Sequence, residues 1–284
     1  MSLCPLSEIL THAEKHTYAV GAFNANNMEI VQAIMTAAEK ERAPVIIQAS
    51  QGALKYAGIE YITALVRARA HRTDIPVALH LDHGTSLKQV MACIREGFTA
   101  VMYDGSAHSF SENVQQTQEV VKLAKWAGVS VEGELGRIGG TEDDITVEEK
   151  EAFFTDPWEA ASFVEQTQVD ALAVAIGTAH GPYQGEPQLD FPRLQQIKEH
   201  VATPLVLHGA SGVPPASIEK AVSLGVRKIN IDTELRQAFT GTLREQLEHN
   251  PHEYDPRKAL GPAREATEEV IRRKMRLFGC AHKV

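Results

Sequence analysis

The stretch Tyr18-Ala19-Val20-Gly21-Ala22-Phe23-Asn24-Ala25-Asn26 runs apolar and then turns polar with no glycine-rich loop. From Met28 to Arg42 it gives way to a segment in which Ile30, Val31, Ile34, Ala37 and Ala38 fall on one helical face. A strand feeding an amphipathic helix is the repeating unit of a parallel sheet, because the return to a parallel neighbour needs a long crossover. An open doubly wound sheet usually opens on a Gly-rich first turn, and Phe23-Asn24-Ala25-Asn26 is not one. That favours the closed form, a (β/α)8 barrel.

Working outward, the same unit recurs at a spacing of about 25 to 40 residues. Strands are expected at Tyr18 to Asn24, Pro44 to Ser50, Pro76 to Asp82, Ala100 to Asp104, Val129 to Glu134, Ala171 to Gly177, Pro204 to His208 and Val226 to Ile231. Runs such as Val45-Ile46-Ile47 and Leu172-Ala173-Val174-Ala175-Ile176 are nearly all apolar, as strands covered on both faces require. No Pro- or Ser-rich linker breaks the chain, so residues 1–284 are expected to form a single α/β domain, a TIM barrel. Leu135 to Glu149 and Asn250 to Pro262 read as irregular, and Ala263 to Phe278 as an extra C-terminal helix.

Composition narrows the partners. Hydrophobic residues at 43% and charged residues at 23% are proportions that can bury a core. A net charge of -9 without a basic run excludes a nucleic-acid surface, which needs clustered Lys and Arg. No stretch reaches the roughly 18 apolar residues of a membrane span, and the N-terminus does not read as a signal peptide. Cys4, Cys93 and Cys280 are too scattered for a disulfide framework, so a cytoplasmic location is expected.

A barrel enzyme works at the C-terminal ends of its strands. Asn24, Ser50, Asp82-His83, Asp104, Glu134, His180, His208 and Asn230-Ile231-Asp232-Thr233 all end or follow the expected strands. Among them His83, His180 and His208 offer neutral imidazoles for an open-sided zinc site. His80 lies within its strand before Asp82 and reads as an ordinary satisfied residue. Asp82, beside His83, is suited to general acid/base work, and Asp104 and Glu134 to orienting ligands or holding metal in an alternative position. Glu142 lies in a glycine-flanked acidic loop, which is either a lid carrying a base or a solvated turn. Gly209-Ala210-Ser211-Gly212 and the segment from Asn230 to Thr233, with Gly181 nearby, form the pattern of a phosphate site between the last two strands. Lys228, the lysine within a barrel strand, reads as structural, because Schiff-base chemistry needs a desolvated lysine of depressed pKa.

Taken in order, His80-Leu81-Asp82-His83-Gly84, Glu132-Gly133-Glu134-Leu135-Gly136, Gly139-Gly140-Thr141-Glu142-Asp143-Asp144, Gly177-Thr178-Ala179-His180-Gly181, Leu207-His208-Gly209-Ala210-Ser211-Gly212 and Lys228-Ile229-Asn230-Ile231-Asp232-Thr233 resemble class II fructose-bisphosphate and tagatose-bisphosphate aldolases. Tyr254-Asp255-Pro256-Arg257 and Lys274 to Gly279 extend the resemblance almost end to end.

The resemblance implies zinc on His83, His180 and His208, with Asp104 and Glu134 at a second or resting metal position. It implies Asp82 as acid/base at the C4 oxygen and Glu142 as the group exchanging a proton on the dihydroxyacetone phosphate carbon. One substrate phosphate would rest on Gly181, Gly209, Ser211 and Asn230 to Thr233, beside a monovalent cation, Na+ or K+. Asn24 completes the substrate contacts, and Arg236, Ser50 and Arg257, the last from a neighbouring subunit of a homodimer or homotetramer, would receive the far phosphate.

The reaction so implied is reversible cleavage of fructose 1,6-bisphosphate to dihydroxyacetone phosphate and glyceraldehyde 3-phosphate through an enediolate. Asp232 and Arg236 resemble fructose-type members. Gln184, where those relatives often carry lysine, and the wording from Ala173 to Gly181 lean toward tagatose 1,6-bisphosphate. Two further alternatives are a zinc hydrolase, which lacks its usual His-x-His pair here, and a sugar-phosphate binding protein without catalysis.

Overall fold

The computed structural model describes residues 3–142, 145–148, 152–183 and 185–284, with backbone alone for 142, 145 and 146. In chain order the elements are α1 (Leu6–His16), β1 (Val20–Asn24), α2 (Met28–Glu41), β2 (Val45–Ser50), α3 (Gln51–Ala57), α4 (Ile59–Ala70), β3 (Val77–Gly84), α5 (Leu87–Glu96), β4 (Ala100–Tyr103), α6 (Phe110–Trp126) and β5 (Ser130–Leu135). They continue as β6 (Gly139–Glu142), β7 (Ile145–Val147), α7 (Pro157–Thr167), β8 (Ala171–Val174), β9 (Ala179–His180), α8 (Phe191–His200), β10 (Leu205–Leu207), α9 (Pro215–Ser223), β11 (Val226–Ile231), α10 (Thr233–His249) and α11 (Pro256–Leu277).

The strands close into a parallel barrel in the order β1-β11-β10-β8-β5-β4-β3-β2, the expected TIM barrel. Every residue of β1, β2, β3, β4, β5 and β11 is buried, which explains their near-continuous apolar wording. Several helices start on a side-chain cap supplied by the preceding turn: Asn27 accepts from Ile30 N, Ser86 from Gln89 N, and Ser109 forms a capping box with Glu112.

Three details depart from the sequence reading. Leu135 to Glu149 is not wholly irregular, since β6 and β7 pair antiparallel and β6 runs parallel to β9, making a three-stranded sheet. The sixth barrel strand stops at Val174 rather than Gly177, and His180 sits on the separate β9. Asn250 to Pro262 is irregular only at its start, because α11 begins at Pro256, capped by Asp255, and runs through Pro262. An interior proline costs about 3 kcal/mol. Ala259, Ala263, Thr267, Val270, Ile271 and Met275 bury one continuous face, which offsets that cost.

α11 packs on α2, where buried Glu41 receives Arg276 Nη2 at 2.6 Å and Arg272 Nε at 2.8 Å. The Arg276 hydrogen bond, with help from Arg272 and against the effect of burial, holds the Glu41 carboxyl below its ordinary range. A depressed carboxyl pKa contributes stability above the unfolded value and loses it as pH falls through the folded one. Glu41→Gln is therefore expected to lower the unfolding midpoint at neutral pH by roughly 2–4 °C. Thermal melts of both proteins should converge as pH falls below the ordinary carboxyl range.

Candidate active site

Strand register gathers the polar residues. Asn24 lies beside Gln48, Ser50 beside Asp82, and Ala22 beside Asn230, so residues far apart in sequence come to one level of the barrel. Near the end of β3 the chain turns at His83, whose φ of 47° is in the left-handed region, and Gln51 Nε2 fixes that turn by donating to His83 O at 2.7 Å. A non-glycine residue there carries strain of about 1–3 kcal/mol, which the surrounding hydrogen bonds must hold in place.

The rings of His83, His180 and His208 converge, with centroids 5.0 Å apart for His83 and His180 and 4.7 Å for His83 and His208. One nitrogen from each lies within 4.8 Å of the others. The carboxylates around them decide which nitrogen carries a proton. His83 Nδ1 meets Asp104 Oδ2 at 2.8 Å, and His208 Nε2 meets Glu132 Oε1 at 2.8 Å.

Burial pushes the Asp104 carboxyl up, but His83 and Ser106 outweigh it and hold the group well below its ordinary value. Burial likewise opposes ionisation of Glu132, but Lys228, His208 and His80 keep its carboxyl low. An ionised carboxylate only accepts, so His83 donates through Nδ1 and His208 through Nε2, and a neutral His208 keeps its lone pair on Nδ1. Burial lowers His208 to about 4, against the raising effect of Glu132, so its ring is neutral at pH 7.

His83 Nε2 and His208 Nδ1 lie 2.9 Å apart. A proton satisfies that contact in the metal-free protein, and with one nitrogen of each ring within 4.8 Å of the others the three imidazoles form a donor set that fits a metal ion. A second group, His83, Asp104 and Glu134, adjoins the first. Buried Glu134 Oε2 has no hydrogen-bond partner among the described residues and lies 4.0 Å from His83 Nδ1. Burial first, and then the Asp104 charge, raise the Glu134 carboxyl well above its ordinary value.

Asp82 is fully buried and held on both oxygens. Asn24 Nδ2 and Gln48 Nε2 donate to Oδ2 at 2.8 and 3.0 Å, and Asn230 Nδ2 to Oδ1 at 3.3 Å. Beside it is a cavity of about 280 Å³ lined by His180, Gly181, Gly209, Ser211, Asn230, Asp232, Thr233 and Arg236. The N-terminus of α10 opens into this cavity at Thr233, and such a terminus favours an anion. Arg236 pairs with Asp232 through two contacts, Nε to Oδ1 at 2.8 Å and Nη2 to Oδ2 at 2.7 Å. Gly209, at φ 62°, has no room for a Cβ, which would stand 2.5 Å from Ala179 O. His180 also borders a smaller cavity with His83, Asp104 and Glu134, so the anion pocket and the imidazole cluster share a wall.

Some sequence candidates fall elsewhere. Ser50 is buried and caps α3 through Ala53 N, lining neither cavity. Arg257 is 88% exposed in its side chain and pairs with Asp255. The Glu142 side chain and Gln184 lie outside the described residues. Conversely Gln48, His80, Glu132 and Lys228 are fully buried in contact with the site, and the sequence reading left them out of it.

The profile of the family described as Fructose-bisphosphate aldolase class-II matches residues 4–283. A fructose-bisphosphate aldolase of Thermus caldophilus is 50% identical over 295 aligned residues, covering 96% of each chain. A sulfofructosephosphate aldolase of Alkalicoccus urumqiensis is 46% identical over 275 residues, covering 97% of this chain and 96% of that one. The crystal structure of the YdjI aldolase from Escherichia coli K12 superposes with a TM-score of 0.87 at 34% identity over 99% of both chains. With a match of that extent behind the converging imidazoles, the chain belongs to the class II fructose-bisphosphate aldolase family, whose aldolases are carbon–carbon lyases.

Proposed function

We propose that the protein cleaves fructose 1,6-bisphosphate reversibly into dihydroxyacetone phosphate and glyceraldehyde 3-phosphate, with zinc held by His83, His180 and His208. The observation that carries this reading is the convergence of three imidazoles, one nitrogen of each within 4.8 Å of the others, next to a pocket suited to an anion. Zinc, when bound, would supply an electrophile for the ketone oxygen, so that the electrons of the breaking carbon–carbon bond have somewhere to rest.

The protein's own groups do the remainder. Asp82, fixed by three amide donors from Asn24, Gln48 and Asn230, takes the C4 hydroxyl proton as the bond breaks and returns it in the reverse direction. Glu142 exchanges the proton on the triose carbon; its strand β6 runs beside β9, which carries His180. Asp104 and Glu134 provide a resting position for the metal. The phosphate nearest the ketone binds Gly181, Gly209, Ser211 and Asn230 to Thr233, with Na+ or K+ alongside. Arg236, which lines the cavity, and, from a neighbouring copy, Arg257 receive the far phosphate in a homodimer or homotetramer, while Ser50, buried as the cap of α3, supports that side of the mouth from behind. The whole chain acts as one barrel domain in the cytoplasm; no helix among the described residues is long and apolar enough to cross a membrane.

His180 depends on Gly140, whose φ of 98° and lack of a side chain let β6 lie against β9. A methyl group there would run into the His180 backbone. Gly140→Ala is expected to weaken zinc binding by about 10- to 100-fold, read by competition with a chelator.

The experiment for substrate choice compares kcat/KM for fructose 1,6-bisphosphate, tagatose 1,6-bisphosphate and a sulfofructose phosphate on zinc-loaded protein. The last is included because a relative at 46% identity is named for it. The largest value for fructose 1,6-bisphosphate is expected. A larger value for either alternative would replace the substrate, and tight binding without cleavage of any would point to a binding protein.

A further inference from the structure

Below the imidazole cluster, inside the barrel, lies an ion pair that neither touches the cavities nor supplies a ligand. Lys228 of β11 and Glu132 of β5 are both 0% exposed and meet at 2.9 Å. Glu132 Oε2 also meets His80 Nε2 at 3.2 Å, while its Oε1 receives His208 Nε2 at 2.8 Å. Lys228 Nζ has a second acceptor, Asn230 Oδ1, at 2.7 Å, and the other end of that amide donates to Asp82. Two branches therefore leave one pair: Glu132 to His208, and Lys228 through Asn230 to Asp82.

Stability does not account for such a pair. Removing two ions from water costs several kcal/mol each, and well-packed apolar residues of similar volume commonly serve a core as well or better. What the pair supplies is direction. A carboxylate can only accept, so Glu132 keeps the His208 proton on Nε2 and turns the Nδ1 lone pair toward His83. An ammonium can only donate, so Lys228 draws the Asn230 oxygen to itself and leaves the amide hydrogens facing Asp82. With the amide reversed, its oxygen would face a carboxylate.

We propose that Lys228 and Glu132 are positioning residues that set the polarity of both halves of the active site, His208 through one branch and Asp82 through the other. The inference rests on the metal-site reading for His208, while its statement about ring protonation stands apart from metal. Lys228 thus acts through its hydrogen bonds, and no covalent step is assigned to it.

The test uses Lys228→Met and the paired replacement Glu132→Leu with Lys228→Met, the latter because a lone buried carboxylate can prevent folding whereas an apolar pair need not. Three readouts are taken: zinc affinity by chelator competition, kcat at saturating zinc, and the His208 tautomer in metal-free protein from nitrogen-15 ring shifts. The wild type should show His208 protonated on Nε2. The folded double variant should lose that preference, bind zinc about 10- to 100-fold more weakly and turn over more slowly even when saturated. Lys228→Met, if it folds, should keep the tautomer and lose kcat. A folded double variant with wild-type tautomer, zinc affinity and kcat would overturn the proposal. Failure of the wild type to bind zinc would instead remove the metal-site reading and leave the tautomer result to decide this one.

Discussion

His208→Ala is expected to abolish cleavage, with kcat/KM falling by at least about 10³-fold, or ~4 kcal/mol of transition-state stabilisation. The side chain is fully buried between His83 and Glu132, so no water-exposed neighbour can substitute for its nitrogen. Losing it leaves two imidazoles where an open-sided zinc site needs three protein ligands. The fold should survive, because Glu132 keeps Lys228 and His80 as partners. Metal analysis of the purified variant, a thermal melt and steady-state kinetics together check this: a folded chain, no bound zinc and no turnover are the predicted set. A folded, zinc-free variant that still turned over normally would refute the role given to His208.

Asp82→Ala should lower kcat by about 10²- to 10⁴-fold while leaving zinc affinity nearly unchanged. The carboxylate bonds three amides, none of which is a metal-ligand candidate, so its removal disturbs the proton-transfer half of the site. Proton exchange on dihydroxyacetone phosphate separates this loss from general damage. That exchange is assigned to Glu142 and should persist in Asp82→Ala even as bond cleavage fails. Loss of both reactions together, with zinc still bound, would show that Asp82 does more than handle the C4 proton.

These two residues were legible in the sequence for the same reason. Polar residues that end apolar strands are conspicuous, and barrel closure brings strand ends together whatever their separation along the chain, so Asp82, His83, Asp104, Glu134 and His208 could be named from position alone. Gln48, Glu132 and Lys228 were harder. Each interrupts a strand instead of ending it, and its partner is set by register around a closed sheet. His80 reads as a residue satisfied within its strand; its Nε2 meets the Glu132 carboxylate that also holds His208, while its buried Nδ1 has no hydrogen-bond partner among the described residues.

The sequence puts His180 in the turn after the sixth strand, and it does not show the short strand that carries the residue. The sixth strand ends early at Val174, where Thr155 Oγ1 takes the Ala175 amide hydrogen, and β9 then carries the histidine beside Gly140. The helix through Pro262 was cut short for a related reason, since a local breaker signal was outweighed by burial of a face that only the packed structure reveals. Arg257 lies outside both cavities and pairs with Asp255.

One measurement bears most directly on the whole account. The protein is stripped of divalent ions with a chelator, assayed for cleavage of fructose 1,6-bisphosphate, and titrated with zinc. Activity should vanish in the stripped protein and return in proportion to bound zinc, saturating near one ion per active site. Undiminished cleavage by metal-free protein would contradict the claim that the three imidazoles exist to hold a catalytic ion.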